Sequence, residues 1–254
     1  MRSKIEKVIG LIPSRLRSKR LPMKALLPIN GVPLVIHTYR RAKMSKILDE
    51  LLICCDDKKI ANISKKNKAK FIMTSVHHNN GTERIFEAYL KLKVKAKLII
   101  DIQGDEPLIS PHHIDEVAKF HLKNLDADII LPVLKIKNIN NTNIVKIVTD
   151  KKNNVLYLSR AGIPYEFKSK SKYLKKHLSI VSFKPEALEK FAKQKKTNLE
   201  KIEDIELLRA LEIGLKIKTL ELEGDSFSVD VVEDYEKAKN IMNKDKIFKK
   251  YNDN

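Results

Sequence analysis

The chain has 254 residues, 43% of them hydrophobic, and 51 Lys and Arg against 32 Asp and Glu give a formal charge of +19. That length buries a full core, and no apolar run approaches the roughly 20 residues of a membrane helix, so no membrane partner is expected. The lysines are spread along the chain, Trp is absent and no nucleic-acid module is recognisable, so the charge suits a small anionic ligand better than a polynucleotide.

Apolar runs alternate with stretches of helical spacing, the pattern of an α/β fold. "KVIGLIP" reads as the first strand; its "VIGLIP" is too short for a signal-peptide core. The loop after it, "IPSRLRSKRLPMK", sets Arg15, Arg17, Lys19, Arg20 and Lys24 within ten residues. Such a loop is either a basic surface or a cradle for phosphates, with arginine forks and lysine point charges on the oxygens. Neither a Walker lysine signature nor G-x-G-x-x-G is present, so a P-loop and a dinucleotide fold are not indicated.

"LVIHTYRRAKMSKI" reads as a helix and "ELLICCDD" as a second strand ending in acids. Cys54 and Cys55 are adjacent in its apolar run, a poor spacing for a disulfide or a metal. They read as buried thiols of a reducing, cytoplasmic setting. "KKIANISKKNK" is a polar helix, "AKFIMTS" a third strand, and "GTERIFEAYLKLKV" a helix with Thr82 as its expected cap. The fourth strand, "AKLIIDIQGDEP", ends at a turn over Gly104 and Pro107 that releases Asp105 and Glu106. Two acids there are either a solvated turn or a ligand site, because ligands of open α/β sheets sit at the C-terminal strand ends.

"SPHHIDEVAKFHLKN" follows as a helix with Ser110 at its cap, and "ADIILPVL" as a strand. "NIVKIVTDKKNNVLYLSR" reads as an antiparallel hairpin around "DKKNN". "HLSIVSFK" is one strand, "PEALEKFAKQ" a helix, "DIELLRALEIG" a helix closed by Gly214, "KIKTLELEG" a late strand, and "VVEDYEKAKNIMNKDKIFKKY" one last helix. "FKSKSKYLKK" and the C-terminal lysines read as solvated loop and tail. The expectation is one domain over residues 1–254, with a mostly parallel central sheet and a smaller antiparallel insert at about 132–185. The insert is a lid or a dimer arm.

Several segments, in order, resemble the CMP-Kdo synthetase (3-deoxy-manno-octulosonate cytidylyltransferase) family. They are "IPSRLRSKRLPMK", "HHNNGTERI", "QGDEPLI", "VKIVTDKKNNVLYLSRAGIPY", "HLSIVSFK", "LEKIEDIELLRALEIG" and "SVDVVEDYEKAK". The resemblance covers nearly the whole chain and implies a Rossmann-like nucleotidyltransferase fold. It implies a cytidylyltransferase that joins CTP to a 2-keto-3-deoxy sugar acid, Kdo first, giving CMP-Kdo and diphosphate for lipopolysaccharide or capsule. A related ulosonate such as 8-amino-Kdo, or a non-catalytic nucleotide-binding homologue, is the alternative. It further implies Mg2+ as cofactor and a homodimer, while the composition leaves no nucleic-acid partner expected.

By the same resemblance, Asp105 and Asp230 hold the metal and, with Lys24, carry catalysis. Arg15, Arg20, Lys24, Gly81, Thr82 and Arg84 bind the nucleotide, and Gln103, Arg160, His177, Glu203 and Glu206 line the sugar-acid pocket. Arg160 suits the sugar carboxylate. Glu203 and Glu206, three apart, are expected on one helix face, which in isolation reads equally as an exposed acidic face. Lys146 and Arg209 are expected in structural ion pairs. The chain departs from the family pattern at Met23, where the family has glycine, and at His77. It also departs at Val181 to Lys184, in place of Tyr-Gly-Tyr-Arg, and at Val231 and Val232, in place of Thr-Pro.

Overall fold

A computed structural model describes residues 6–18, 20–137, 141–224 and 227–252. Lys19, one of the cations of the basic loop, lies outside the described residues. The chain divides into two compact units, Met1–Asp115 with Ser226–Asn254, and Glu116–Asp225. The expected insert at 132–185 falls inside the second unit.

In the first unit four parallel strands run in the order β5 (Phe71–Met73), β4 (Glu50–Cys55), β1 (Lys7–Ser14), β6 (Ala96–Ile102). β1 is buried from Val8 to Ser14, as a central parallel strand covered on both faces must be. A short hairpin of β2 (Pro28–Ile29) and β3 (Val32–Pro33) leads into α1 (Leu34–Ala42). α2 (Lys58–Lys66) follows β4, and Asp57 caps it by accepting from the Lys59 amide at 2.7 Å. α3 (Gly81–Leu92) follows β5. Its cap is Asn80, not Thr82. Asn80 accepts from the Glu83 amide at 2.8 Å, and the Glu83 carboxylate takes the Asn80 amide group at 3.1 Å. Thr82 is buried one position inside the helix.

The boundary between the units falls within α4 (Pro111–Lys123). The second unit is built on β7 (Ile129–Ile136). β12 (Ile217–Glu221) runs parallel to it, and β10 (Leu174–His177) and β11 (Ile180–Phe183) run antiparallel to it. β8 (Lys146–Thr149) and β9 (Val155–Ser159) form the expected hairpin, and β8 pairs with β10. Asp150 holds its turn by accepting from the amides of Lys152 and Asn154.

The segment read as one strand, "HLSIVSFK", is split. His177 pairs with Val133 and Ser182 with Ile130, so residues 178–181 span what 131 and 132 span on β7. Pro132, which has no amide hydrogen to donate, sits at this bulge, and its carbonyl accepts from the Leu178 amide at 2.9 Å. β10 also draws "LKK" out of the stretch read as solvated loop.

After β11 come α5 (Pro185–Ala192), α6 (Asn198–Glu203) and α7 (Glu206–Glu212). Arg209 on α7 is fully buried, and forks onto Glu200 at 2.6 and 2.7 Å, the expected structural ion pair. The C-terminal stretch, back in the first unit, makes two helices, α8 (Val232–Met242) and α9 (Lys246–Asn252), rather than one. Residues 243–245 separate them, and Asp245 accepts from the Phe248 amide at 2.6 Å. No helix among the described residues is long and apolar enough to cross a membrane.

Candidate active site

The loop after β1 and the turn after β6 meet at the C-terminal ends of the parallel strands. Gly104 makes this approach possible: a Cβ there would lie 2.6 Å from the Pro13 carbonyl oxygen. The turn is fixed from α1. Thr38 donates to the Gly104 carbonyl at 3.3 Å, and buried Arg41 donates to the carbonyls of Ile109 and Leu108 at 2.6 and 3.1 Å.

The third contributor arrives from the far end of the chain. Val229 donates its amide to the Asp105 carbonyl at 2.9 Å, and its side chain is buried with Leu21, Ile29, Leu34, Ala238 and Met242. Burying such a side chain contributes roughly 1.5 kcal/mol. Leu21 belongs to the basic loop, so one apolar cluster draws that loop and the Asp230 segment together. Asp234 on α8 accepts from the amides of Asp230 and Val231 at 3.0 and 3.2 Å, and so ties the Asp230 backbone to the start of α8.

The result is a four-charge cluster. Lys24 Nζ lies 2.7 Å from Asp105 Oδ2 and 3.0 Å from Asp230 Oδ1, and Arg20 Nη2 lies 3.0 Å from the same Asp230 oxygen. Burial lowers the Lys24 pKa, but Asp105 and Asp230 outweigh it, so the ammonium is held above its ordinary value. Asp105 Oδ1 is buried and has no hydrogen-bond partner among the described residues. Lys24 opens a single 3-10 turn over Lys24–Leu26. Met23 precedes it with φ 51°, the left-handed region that favours the glycine of the family pattern.

Arg15 is exposed on the same loop. Gly81 packs on the end of β1, where a Cβ would meet Pro13 Cγ at 3.2 Å and the Gln103 amide nitrogen at 3.6 Å. Gln103 is oriented by Asp101, which accepts from its amide at 2.9 Å. Arg84 is different: it is buried, and its guanidinium donates to Thr74 Oγ1 at 2.7 Å, the Ser75 carbonyl at 3.1 Å and Asp56 Oδ2 at 3.1 Å. The other Asp56 oxygen accepts from the Leu16 amide at 3.0 Å. Arg84 therefore bears on the basic loop through Asp56, an acid legible in the sequence only as a strand end.

The second unit carries its own polar cluster. Glu203 accepts from Ser159 Oγ at 2.6 Å and from the Arg160 amide at 3.0 Å. The Arg160 guanidinium donates three of its five N–H groups to the carbonyls of Glu203, Asp204 and Thr142, at 2.8, 3.1 and 3.1 Å. Lys146 is not in the expected ion pair: its buried ammonium donates to the carbonyls of Asn141 and Ile144, both at 2.9 Å, and to that of Arg160. Burial pushes the Lys146 pKa down, and the Arg160 charge adds to that. His177 Nδ1 lies 3.0 Å from the Leu178 carbonyl, and burial, with the Arg160 charge, lowers its pKa. Arg160, His177 and Glu203 thus gather around the β8–β9 hairpin.

Glu203 and Glu206 do not share a helix face. Asp204 between them takes φ 51°, Ile205 is extended, and α6 ends before α7 starts. Spacing alone overlooked this break, because Asp is among the residues that tolerate the left-handed conformation.

Comparison with known proteins gives one consistent result. The cytidylyltransferase family model matches residues 9–217. A 3-deoxy-manno-octulosonate cytidylyltransferase of Chloroherpeton thalassium is 36% identical over 244 residues, covering 94% of this chain and 98% of that protein. An 8-amino-3,8-dideoxy-manno-octulosonate cytidylyltransferase of Shewanella halifaxensis is 38% identical over 229 residues, covering 88% and 94%. Among solved structures, a CMP:2-keto-3-deoxy-manno-octonic acid synthetase complexed with CTP superposes with a TM-score of 0.89 at 29% identity, covering 94% of this chain and 99% of that one.

Proposed function

The chain belongs to the cytidylyltransferase family, and we propose that it transfers CMP from CTP to 3-deoxy-manno-octulosonate, giving CMP-Kdo and diphosphate. The observation that carries this reading is the convergence of Asp105 and Asp230, from opposite ends of the chain, on one positive charge. In this transfer a sugar hydroxyl attacks the α-phosphate, and charge gathers on phosphate oxygens. Positioning and neutralisation do most of the work. Arg15, Arg20 and Lys24 supply cations to the triphosphate, and the helix start at Gly81 and Thr82 supplies backbone amides. Gln103, Arg160, His177, Glu203 and Glu206 are proposed for the sugar acid. For Arg160 this needs the donors that its three carbonyl bonds leave over.

Mg2+ is the proposed cofactor, and the donor set fits it. Magnesium takes hard oxygen ligands, often only one or two carboxylates plus phosphates. Asp105 and Asp230 provide two carboxylates, and Asp105 Oδ1 is a buried oxygen without a partner among the described residues. No larger cluster of His, Cys, Asp and Glu that could hold a metal occurs among those residues. Bound there, the ion would offset charge at the α-phosphate and lower the pKa of the attacking hydroxyl.

We further propose a homodimer, for which exposed Tyr165 and Phe167, 83% and 90% accessible, are the apolar surface to cover. The reaction is assigned to the cytoplasm, and its product to lipopolysaccharide or capsule assembly.

The test is diphosphate release with CTP, Mg2+ and a panel of Kdo, 8-amino-Kdo and sialic-type acids. Kdo should be the best substrate. Preference for the 8-amino sugar would reassign the substrate. Tight CTP binding with no diphosphate from any sugar acid would overturn the enzyme reading. Sedimentation velocity tests the dimer.

A further inference from the structure

The cation between Asp105 and Asp230 is an ammonium of the protein itself. We infer that Lys24 is the resident counter-ion of this carboxylate pair and that a divalent cation enters only as Lys24 leaves it for the nucleotide's phosphates. The inference rests on the metal reading proposed above.

Three observations carry it. First, the contacts are close: 2.7 Å to Asp105 and 3.0 Å to Asp230, from a side chain only 15% exposed. A magnesium ion bonded to these oxygens at about 2.1 Å would stand directly beside the ammonium. A dication and an ammonium this close repel strongly in a partly buried site, more than the Lys24–Arg20 pair that Asp230 already bridges, so binding of one opposes the other. Second, the four groups in direct contact already balance. Lys24 and Arg20 carry two positive charges, and Asp105 and Asp230 carry two negative ones. A divalent ion added without displacing Lys24 would leave the site strongly positive. A triphosphate brings enough negative charge to draw Lys24 and Arg20 away and to share the metal. Third, both cations converge on Asp230 Oδ1, while Asp105 Oδ1 stays buried without a partner among the described residues. An ammonium on a flexible four-carbon stem can leave this arrangement without moving the backbone.

The consequence is ordered loading. Without nucleotide the carboxylates are satisfied by Lys24 and bind divalent metal weakly. Nucleotide and metal arrive together, and Lys24 passes from the acids to the phosphates. The metal-binding step therefore depends on where one lysine points.

The experiment is nucleotide-free Mn2+ binding to the full chain, read by the loss of the free-ion electron paramagnetic resonance signal. Wild type should bind weakly. Lys24→Met should bind roughly tenfold tighter. Adding Asp105→Asn to that variant should abolish the gain. Circular dichroism checks folding, and Lys24→Gln substitutes if Lys24→Met does not fold. Equal Asp105-dependent affinity in wild type and Lys24→Met would overturn the displacement and leave the metal reading standing. Micromolar nucleotide-free binding by wild type would do the same. No Asp105-dependent Mn2+ binding in any form, with or without CTP, would overturn both.

Discussion

Val229 donates its backbone amide to the carbonyl of Asp105 at 2.9 Å. This one bond joins two segments remote in the chain and sets Asp230, the next residue, opposite Asp105. The site is therefore as rigid as the turn at Gln103–Ile109 and the apolar cluster under Val229.

Asp105→Asn keeps the shape of the side chain and removes its charge. Because Val229 bonds to the backbone of Asp105, the substitution should leave the fold intact. Turnover should fall by about 10²–10³, the scale of losing one electrostatic contact to a transition state. Diphosphate release and a thermal melt measured side by side decide this; near-normal rates remove Asp105 from the mechanism.

Gly104→Ala puts a methyl group 2.6 Å from the Pro13 carbonyl oxygen, a backbone atom that cannot rotate away. The turn must shift, at a cost of about 1–3 kcal/mol, and Asp105 shifts with it. The expected result is a lower urea midpoint together with a fall in kcat. An unchanged midpoint would show that the strand ends do not need this close approach.

Met23 holds φ 51° and its side chain is about half exposed, so little packing is at stake. Met23→Gly relieves left-handed strain of about 1–2 kcal/mol and gives some of it back as unfolded-chain entropy. A net gain of about 0.5–1 kcal/mol should appear as a higher melting temperature. A loss would mean that the Met23 side chain stabilises the loop in some other way.

Arg84 and Asp56 form an ion pair with side chains only 4% and 11% exposed. Arg84→Met leaves the Asp56 charge nearly buried and loosens Leu16, the neighbour of Arg15. A stability loss of about 3 kcal/mol is expected, with a raised KM for CTP and a smaller change in kcat. Equal loss in kcat and kcat/KM would place Arg84 at the reacting centre instead.

His37 and His121 are buried and neutral, with pKa values lowered to about 4, mainly by burial. His37 Nε2 faces the Ile29 carbonyl and must carry the proton, so Nδ1 accepts from the Tyr251 hydroxyl at 2.6 Å. The unfolded chain takes up protons near pH 6.5 and the folded one only near 4. Between those values the unfolded state binds more protons, so stability falls as pH falls. Each histidine should cost about 2 kcal/mol by pH 5. Urea midpoints at pH 7, 6 and 5 test it; a flat profile would contradict neutral burial.

Much of this protein was written in its linear pattern. Apolar runs bounded by Gly, Pro and acids marked the strands, because a strand buried on both faces must be apolar along its length. The Asn80-x-x-Glu83 spacing also encodes the cap of α3, two residues before the expected Thr82. Only the folded chain decided the rest. Pro132 on β7 broke β10 from β11, and Asp204 separated Glu203 from Glu206. Neither event leaves a periodic signal, since each depends on a partner strand or on a single dihedral angle.

The site divides in the same way. The sequence alone supplied the chemistry: a basic loop, and acids that follow strands. That Lys24 lies between Asp105 and Asp230, the latter 206 positions away, came from the tertiary structure. A contact across that distance is set by how strand ends and one apolar cluster pack, and no local propensity encodes it.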